Sequence, residues 1–242
     1  MMVLSLGNLK KSFLCKVVSL CCPRTTLLQT VMVQTYPISK TITTFADLKQ
    51  RFNLSATDND LFFREWQQDL PDLTVQEMET LDRIKQRFDR HREQEALSEG
   101  TVNQLLISPL LTLAGLYDDP FYLTTEAGVE LEVEANDEIL RGRIDILIVA
   151  QQLWVLVVES KSSLSFTLAL PQAMTYMMAN PNPQRPVYGL ITSGDEFMFI
   201  KMLTDDVPQY DLSNVFSLFL PRRNQLRQVL SILKQIANII AG

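Results

Sequence analysis

The sequence predicts a mixed α/β fold, in which helices flank a largely buried β-sheet. Of the 242 residues, 46% are hydrophobic and 21% are charged, a composition typical of a folded globular chain. Helical periodicity dominates the first half of the chain, whereas alternating or continuous apolar runs dominate the middle. The chain has only eight glycines and no glycine-rich phosphate loop, so a doubly wound nucleotide-binding fold is not expected.

The helices are predicted from their caps and apolar stripes. Thr74 and Glu77 have the spacing of a capping box, and the apolar stripe that follows predicts a helix reaching about Leu97. That stripe consists of Val75, Met78, Leu81, Ile84 and Phe88. Pro109 is expected to kink or restart an apolar helix over 105–116, because proline lacks a backbone donor. Further helices are predicted at residues 45–52, 170–179 and 221–240.

The strands are predicted from apolar runs bounded by turn residues. These runs cover residues 121–133, 143–149, 153–158, 187–192 and 196–202. The run 153–158 is apolar at every position, which indicates a central strand covered on both faces. It follows the run 143–149 after only three residues, so the two are expected to form an antiparallel hairpin. The order of helices and strands predicts a mixed sheet.

Charge and composition divide the chain into three regions. Residues 1–32 hold four of the 22 basic residues and none of the 28 acidic residues, and we expect them to be a disordered or non-native leader. The remainder has 18 basic and 28 acidic residues, a net charge of −10. We expect residues 33–93 to be a helical N-terminal extension and residues 94–242 to be the α/β domain. No apolar run approaches the ~20 residues of a membrane span.

Scarce residue types exclude several kinds of chemistry. The chain has one histidine, His91, and all three cysteines lie within the first 22 positions. Serine–histidine–aspartate hydrolysis and histidine or cysteine zinc sites are therefore excluded. What remains is chemistry by carboxylates, lysine, amides and hydroxyls, with a hard divalent cation if a metal takes part. The lack of cysteine beyond the leader is typical of a protein of the reducing cytoplasm.

One constellation fits that remaining chemistry. Asp145 lies in the first strand of the predicted hairpin, and Glu159 and Lys161 end the second. Asp145 is directly opposite Glu159 only if the numbers of paired residues add up to 304, and a slip by one residue would put the two carboxylates on opposite faces. Two convergent carboxylates favour a divalent cation such as magnesium, and a neighbouring lysine can orient a water. The alternative is an ion pair at a strand end.

These residues resemble the motif of the PD-(D/E)xK nuclease superfamily. Asp145 corresponds to the aspartate, Glu159 to the acidic position and Lys161 to the lysine, whereas Ile144 occupies the place of the proline. The resemblance implies a restriction-endonuclease-like fold, with a mixed β-sheet core flanked by helices. It covers roughly residues 94–202.

A second pattern indicates a subgroup within that superfamily. Gln172 and Tyr176 form a Gln-x-x-x-Tyr pattern on the predicted helix after the hairpin, and a spacing of four puts them on one helix face. This pattern resembles the N-terminal nuclease domain of type I restriction enzyme subunits, and it implies that the pair contacts the substrate strand. Alone, it would equally fit a buried tyrosine with a polar neighbour.

The resemblance also implies a cofactor. Magnesium or manganese would be held by Asp145, Glu159 and a glutamate upstream of the core helix, and Lys161 would position the attacking water. Glu99 is the preferred glutamate, and Glu95 is the competing candidate.

The sequence therefore leads to two functional hypotheses. The first is metal-dependent phosphodiester hydrolysis of DNA by a stand-alone restriction-type nuclease, acting as a homodimer or with a partner protein of a restriction system. The second is a catalytically inactive protein of the same fold that serves as an interaction module. The second is favoured by region 61–100, which has ten acidic and six basic residues, because acidity disfavours binding to nucleic acid.

Overall fold

The computed structural model describes residues 34–133, 138–150, 153–160, 166–220 and 223–241. The predicted leader 1–32 and Lys161 lie outside the described residues. All of the described residues belong to one compact unit, Val33–Gly242.

A single mixed sheet organises the unit. In the described part of the chain it has nine strands: β1 (Gln34–Pro37), β2 (Ser55–Ala56), β3 (Phe121–Val133), β4 (Glu138–Ala150), β5 (Leu153–Ser160), β6 (Val187–Thr192), β7 (Glu196–Leu203), β8 (Gln209–Leu212) and β9 (Phe216–Ser217). The main order is β1-β4-β5-β6-β7-β8-β2, with β3 added to β4 and β9 to β7. β1 with β4, β2 with β8 and β5 with β6 are parallel, and the other pairs are antiparallel.

Helices cover both faces of this sheet. They are α1 (Ile38–Thr41), α2 (Phe45–Phe52), α3 (Val75–Arg92), α4 (Glu99–Val102), α5 (Ser108–Leu113), α6 (Phe166–Met178) and α7 (Leu226–Ala241). A 3-10 turn at Arg64–Trp66 and a π-helical turn at Asn103–Ile107 complete the set. The core on one face is formed with α3, α4, α5 and α7, and the core on the other face with α1, α2 and α6. The prediction of a mixed α/β fold is confirmed.

The predicted capping box of α3 is confirmed, but the helix is shorter than expected. The Thr74 hydroxyl accepts a hydrogen bond from the backbone N–H of Glu77, whose carboxylate accepts from the N–H of Thr74. The helix ends at Arg92 and not near Leu97. Six residues separate the end of α3 from α4, which begins at Glu99 and is capped by its own serine, Ser98.

The predicted stripe of α3 is correct only in its later part. Leu81, Ile84 and Phe88 are buried in the core, whereas Val75 is 69% exposed. Val75 belongs to the first turn of the helix, and that turn precedes the stretch that reaches the sheet.

The predicted helix over 105–116 lies within a helical stretch that continues from Glu99 to Leu113 through α4, the π-turn and α5. Pro109 directly follows the π-turn, near the start of α5. The local irregularity therefore lies just before this proline, but the helix is not interrupted there. The closing helix α7 begins at Leu226, later than the predicted position 221. Residues 221–222 lie outside the described part of the chain.

The region 33–93 contributes two short strands that the helical reading missed. β1 pairs with the start of β4, and β2 pairs with β8 at the far end of the sheet. Strands of four and two residues are too short to show a period-two pattern, so sequence periodicity cannot detect them. Among the described residues, no helix is long and apolar enough to cross a membrane.

Candidate active site

The candidate site lies where one edge of β4 changes its partner. β3 pairs along nearly the whole of β4 and so occupies one edge. On the other edge, β1 pairs with residues 138–141 and β5 with residues 146–150. Residues 142–145 are therefore the stretch over which this edge passes from β1 to β5. Gly142 and Asp145 bound that stretch.

The hairpin has the register that the candidate site requires. Ile146 pairs with Val158, and the next two pairs towards the turn keep the same offset, in which the residue numbers add up to 304. The register shifts only after Ile148, close to the turn. One further step in this register puts Asp145 opposite Glu159. For Glu159 only the backbone is described, and it pairs with β6 on its other side.

Strand β4 changes face at Asp145. Ile144 packs in the core on the α6 side, whereas Ile146 packs in the core on the opposite side. In a regular strand these two residues would share a face. β3 pairs with β4 through Thr125 with Ile146 and through Ala127 with Ile144, on either side of Glu126 and Asp145. Glu126 has a positive φ of 49°. Such a φ is uncommon for any residue other than glycine, and it marks a local change of twist.

Because of this change of face, Asp145 borders cavities on both sides of the sheet. The cavity on the α6 side has a volume of about 710 Å³, and its lining includes Asp145, Gln172 and Tyr176. The cavity on the α4 side has a volume of about 640 Å³, and its lining includes Asp145 and Glu99. Volumes of this size are typical of ligand sites. We call them the α6-side cavity and the α4-side cavity.

In the α6-side cavity, the predicted Gln-x-x-x-Tyr pair forms a direct contact. The Gln172 Nε2 donates a hydrogen bond of 2.7 Å to the Tyr176 hydroxyl. Gln172 is half-buried and Tyr176 is buried. The tyrosine ring lies against the backbone of Gly142, because a Cβ on that residue would be only 2.5 Å from the ring atom Cε1. The glycine of the Gly-x-x-Asp stretch thus makes room for the tyrosine of α6.

In the α4-side cavity, Glu99 is the first residue of a short helix. The Ser98 hydroxyl accepts a hydrogen bond from the backbone N–H of Thr101 and so caps α4. Glu99 is exposed and lines this cavity together with Asp145. The competing candidate Glu95 lies in the turn after α3 and lines neither of the two cavities.

Cations and anions are unequally divided between the two cavities. Arg141 and Arg143 line the α6-side cavity. Arg141 pairs with Glu130 at 2.8 Å, and Arg143 lies 3.5 Å from Glu126. All four side chains are more than half exposed, so these pairs contribute little to stability. The guanidinium groups can therefore exchange these partners for a ligand at small cost.

Of the metal ligands that the resemblance implies, the structure describes the side chains of Asp145 and Glu99. Among the described residues, no group of three or more histidine, cysteine, aspartate or glutamate side chains is arranged to hold a metal ion. The side chain of Glu159 and all of Lys161 lie outside the described residues. Asp145 and Glu99 supply oxygen donors to one cavity, and these are the donors that magnesium and manganese prefer.

Sequence reasoning missed several residues of the site. Glu126, Tyr117, Asn103 and Gln104 also line the α4-side cavity. No local pattern in the sequence indicates them, because they converge through the pairing of β3 with β4 and the packing of helices on the sheet. Comparison of the sequence with protein-family models and with curated proteins found no match.

Proposed function

We propose that the protein is a metal-dependent nuclease that hydrolyses phosphodiester bonds in DNA. The observation that carries the proposal is the position of Asp145. It lines one cavity with Gln172 and Tyr176 and a second with Glu99, and one further step in the hairpin register beyond the pair of Ile146 and Val158 would put it opposite Glu159. Directly opposed residues of an antiparallel pair share a face, so this register allows two carboxylates to converge.

The fold supports the proposal at the level of arrangement. The candidate aspartate and glutamate lie on adjacent antiparallel strands, and α6 connects β5 to the parallel strand β6. This is the order that a restriction-endonuclease-like core would require, and we include that fold in the proposal.

Each residue of the site has a role in this proposal. Asp145, Glu159 and Glu99 would hold magnesium or manganese, which supplies Lewis-acid polarisation of the phosphate and a more acidic bound water. Lys161 would orient the water for attack on phosphorus. Gln172 and Tyr176 would contact the substrate strand, with the tyrosine hydroxyl fixed by the amide of Gln172.

The charge of the chain supports the alternative, a catalytically inactive protein of this fold. The net charge of −10 over residues 33–242 opposes affinity for DNA, because neutralised phosphates supply most non-specific binding. The exposed guanidinium groups of Arg141 and Arg143 beside Asp145 offset that acidity locally. A cleavage assay separates the two functions.

The assay uses the full chain with single- and double-stranded DNA, in magnesium, in manganese and in excess chelator. We expect metal-dependent cleavage by the wild type and a loss of about 10²-fold or more in Asp145→Asn, because one charged ligand is removed without a change of shape. Glu79→Gln is the matched control, since Glu79 is an exposed acid on α3 away from both cavities. Equal rates in the wild type and Asp145→Asn, or no cleavage by either, would refute the proposal.

A further inference from the structure

An exposed aromatic ring forms part of the wall of the α4-side cavity. Tyr117 is 40% exposed and lines this cavity together with Asp145. Its hydroxyl lies 2.9 Å from the Ser108 hydroxyl of α5, within hydrogen-bonding distance. The ring is thus held at its far end, while part of its surface remains open to the cavity.

The turn that carries Tyr117 is well defined by backbone hydrogen bonds. Gly115 has a φ of +76°, and its N–H donates to the carbonyl of Thr112 while the N–H of Leu116 donates to the carbonyl of Leu111. This is the Schellman pattern that ends a helix. The left-handed glycine therefore fixes the direction in which the chain leaves α5, and with it the position of the tyrosine.

The two cavities beside Asp145 have different chemistry. The α6-side cavity has Arg141 and Arg143 on its wall, and guanidinium groups suit phosphate oxygens. The described lining of the α4-side cavity has no basic side chain. It combines the carboxylates of Glu99, Glu126 and Asp145 with the Tyr117 ring and the amides of Asn103 and Gln104. Amide side chains and an aromatic ring suit the edge and the face of a nucleobase.

From this lining we infer that the substrate is a single-stranded or locally unpaired polynucleotide, with one base stacked on Tyr117 in the α4-side cavity, beside the carboxylates of Asp145 and Glu99 that would hold the metal. The inference rests on the proposed function and names its substrate class. A base inside a duplex is stacked on both faces, so it must leave the stack before its face can meet an aromatic side chain.

The acidity of the chain agrees with this substrate class. Duplex DNA has the higher charge density, and its binding depends more steeply on neutralised phosphates than that of single strands. Stacking on aromatic rings supplies binding free energy that needs no added positive charge, and it is tolerant of sequence. A chain with a net charge of −10 over residues 33–242 therefore gains more from a single strand than from a duplex.

The test is equilibrium binding in calcium, which keeps the oligonucleotide intact. The probe is a labelled single-stranded DNA of about 15 nucleotides, compared with its duplex. We expect Tyr117→Leu to weaken single-strand binding roughly tenfold or more, and Tyr117→Phe to stay close to the wild type because the ring is kept. Tyr122→Leu is the matched control, since Tyr122 is 66% exposed and lines neither cavity.

An abasic position in the probe provides an independent readout. When the abasic site is moved along the oligonucleotide, one of its positions should weaken binding by the wild type. At that position it should have little further effect on binding by Tyr117→Leu, because both changes remove the same stacking contact. Thermal denaturation of each variant checks that the fold is kept.

Equal affinities of Tyr117→Leu and Tyr122→Leu, or duplex binding at least as tight as single-strand binding, would overturn the inference. Cleavage of DNA that does not respond to Tyr117→Leu overturns the inference and leaves the nuclease proposal standing. Tyr117-dependent binding without cleavage in magnesium overturns the nuclease proposal and supports the inference. Failure to bind any oligonucleotide overturns both.

Discussion

Replacement of Gly142 by alanine tests the packing that connects β4 to the α6-side cavity. A Cβ on this residue would lie 2.5 Å from Cε1 of Tyr176, 2.9 Å from its hydroxyl oxygen and 3.1 Å from Cδ1 of Ile38. The tyrosine is buried and bonded to Gln172, so the ring cannot move freely. Overpacking of this kind costs about 1–3 kcal/mol. We expect Gly142→Ala to lower the free energy of unfolding by that amount.

The neighbouring strand offers a matched control. Gly128 of β3 pairs with Arg143 of β4, and a Cβ added to Gly128 would have nothing within 4 Å. Gly128→Ala should therefore leave the stability nearly unchanged or raise it by up to about 1 kcal/mol, because alanine reduces the entropy of the unfolded chain. Both variants are measured by urea unfolding followed by circular dichroism, and the midpoints are compared at equal m-value.

A double variant tests whether the ring is the cause. In the background of Tyr176→Leu the added methyl group should find space, and the cost of Gly142→Ala should fall below about 0.5 kcal/mol. If Gly142→Ala unfolds at the same urea concentration as Gly128→Ala, or if its cost is unchanged by Tyr176→Leu, the reasoning about this contact is refuted.

Three further predictions concern other parts of the fold. Thr74→Ala should lower the free energy of unfolding by about 0.5–2 kcal/mol through loss of the cap of α3. Thr74→Ser should retain most of the stabilisation by the cap, because serine keeps the hydroxyl group. Equal losses of stability in the two variants would contradict the capping role. Lys201→Met should cost about 3 kcal/mol or more in urea unfolding, because it leaves the largely buried Glu65 carboxylate without the ammonium that lies 2.5 Å away; a neutral result would show that this pair is dispensable. The hydrogen bond from Asn224 and a neighbouring arginine lower the pKa of Asp82, so its folded-state pKa lies below its unfolded value. Its stabilising effect is present at neutral pH and is lost as the pH falls below about 4. The difference in the free energy of unfolding between the wild type and Asp82→Asn should be under about 1 kcal/mol, because the pair is exposed. This difference should shrink as the pH is lowered from 7 to 3, and a difference that grows would refute the stabilising role of the Asp82 carboxylate.

Local patterns in the sequence were sufficient for most elements of the fold. The capping box at Thr74, the capping-led start of α3 at Val75 and the strand Phe121–Val133 agree with the structure. Each depends on residues within one turn or one strand, so it can be read from spacing. The register predicted for the hairpin agrees with the pairs of Ile146, Leu147 and Ile148, whereas the shift after Ile148 leaves no local pattern in the sequence.

Long-range pairing decided what the sequence could not. β1 shares an edge of β4 with β5, and Glu99 meets Asp145 at one cavity although 45 residues separate them in the chain. The change of face at Asp145 coincides with the positive φ of Glu126 on the neighbouring strand. None of these relations leaves a periodic signal, because strand partners are chosen by the packing of the whole sheet.

The sequence by itself determined the kind of chemistry available. One histidine and three cysteines near the N-terminus leave carboxylates, lysine and amides, whatever the fold. The tertiary structure decided which of those groups meet and on which side of the sheet. It divides the surroundings of Asp145 into a cavity with arginines and a cavity with an aromatic ring and amides. The physical reason is that β4 changes face between Ile144 and Ile146, so that Asp145, which lies between them, borders a cavity on each side of the sheet.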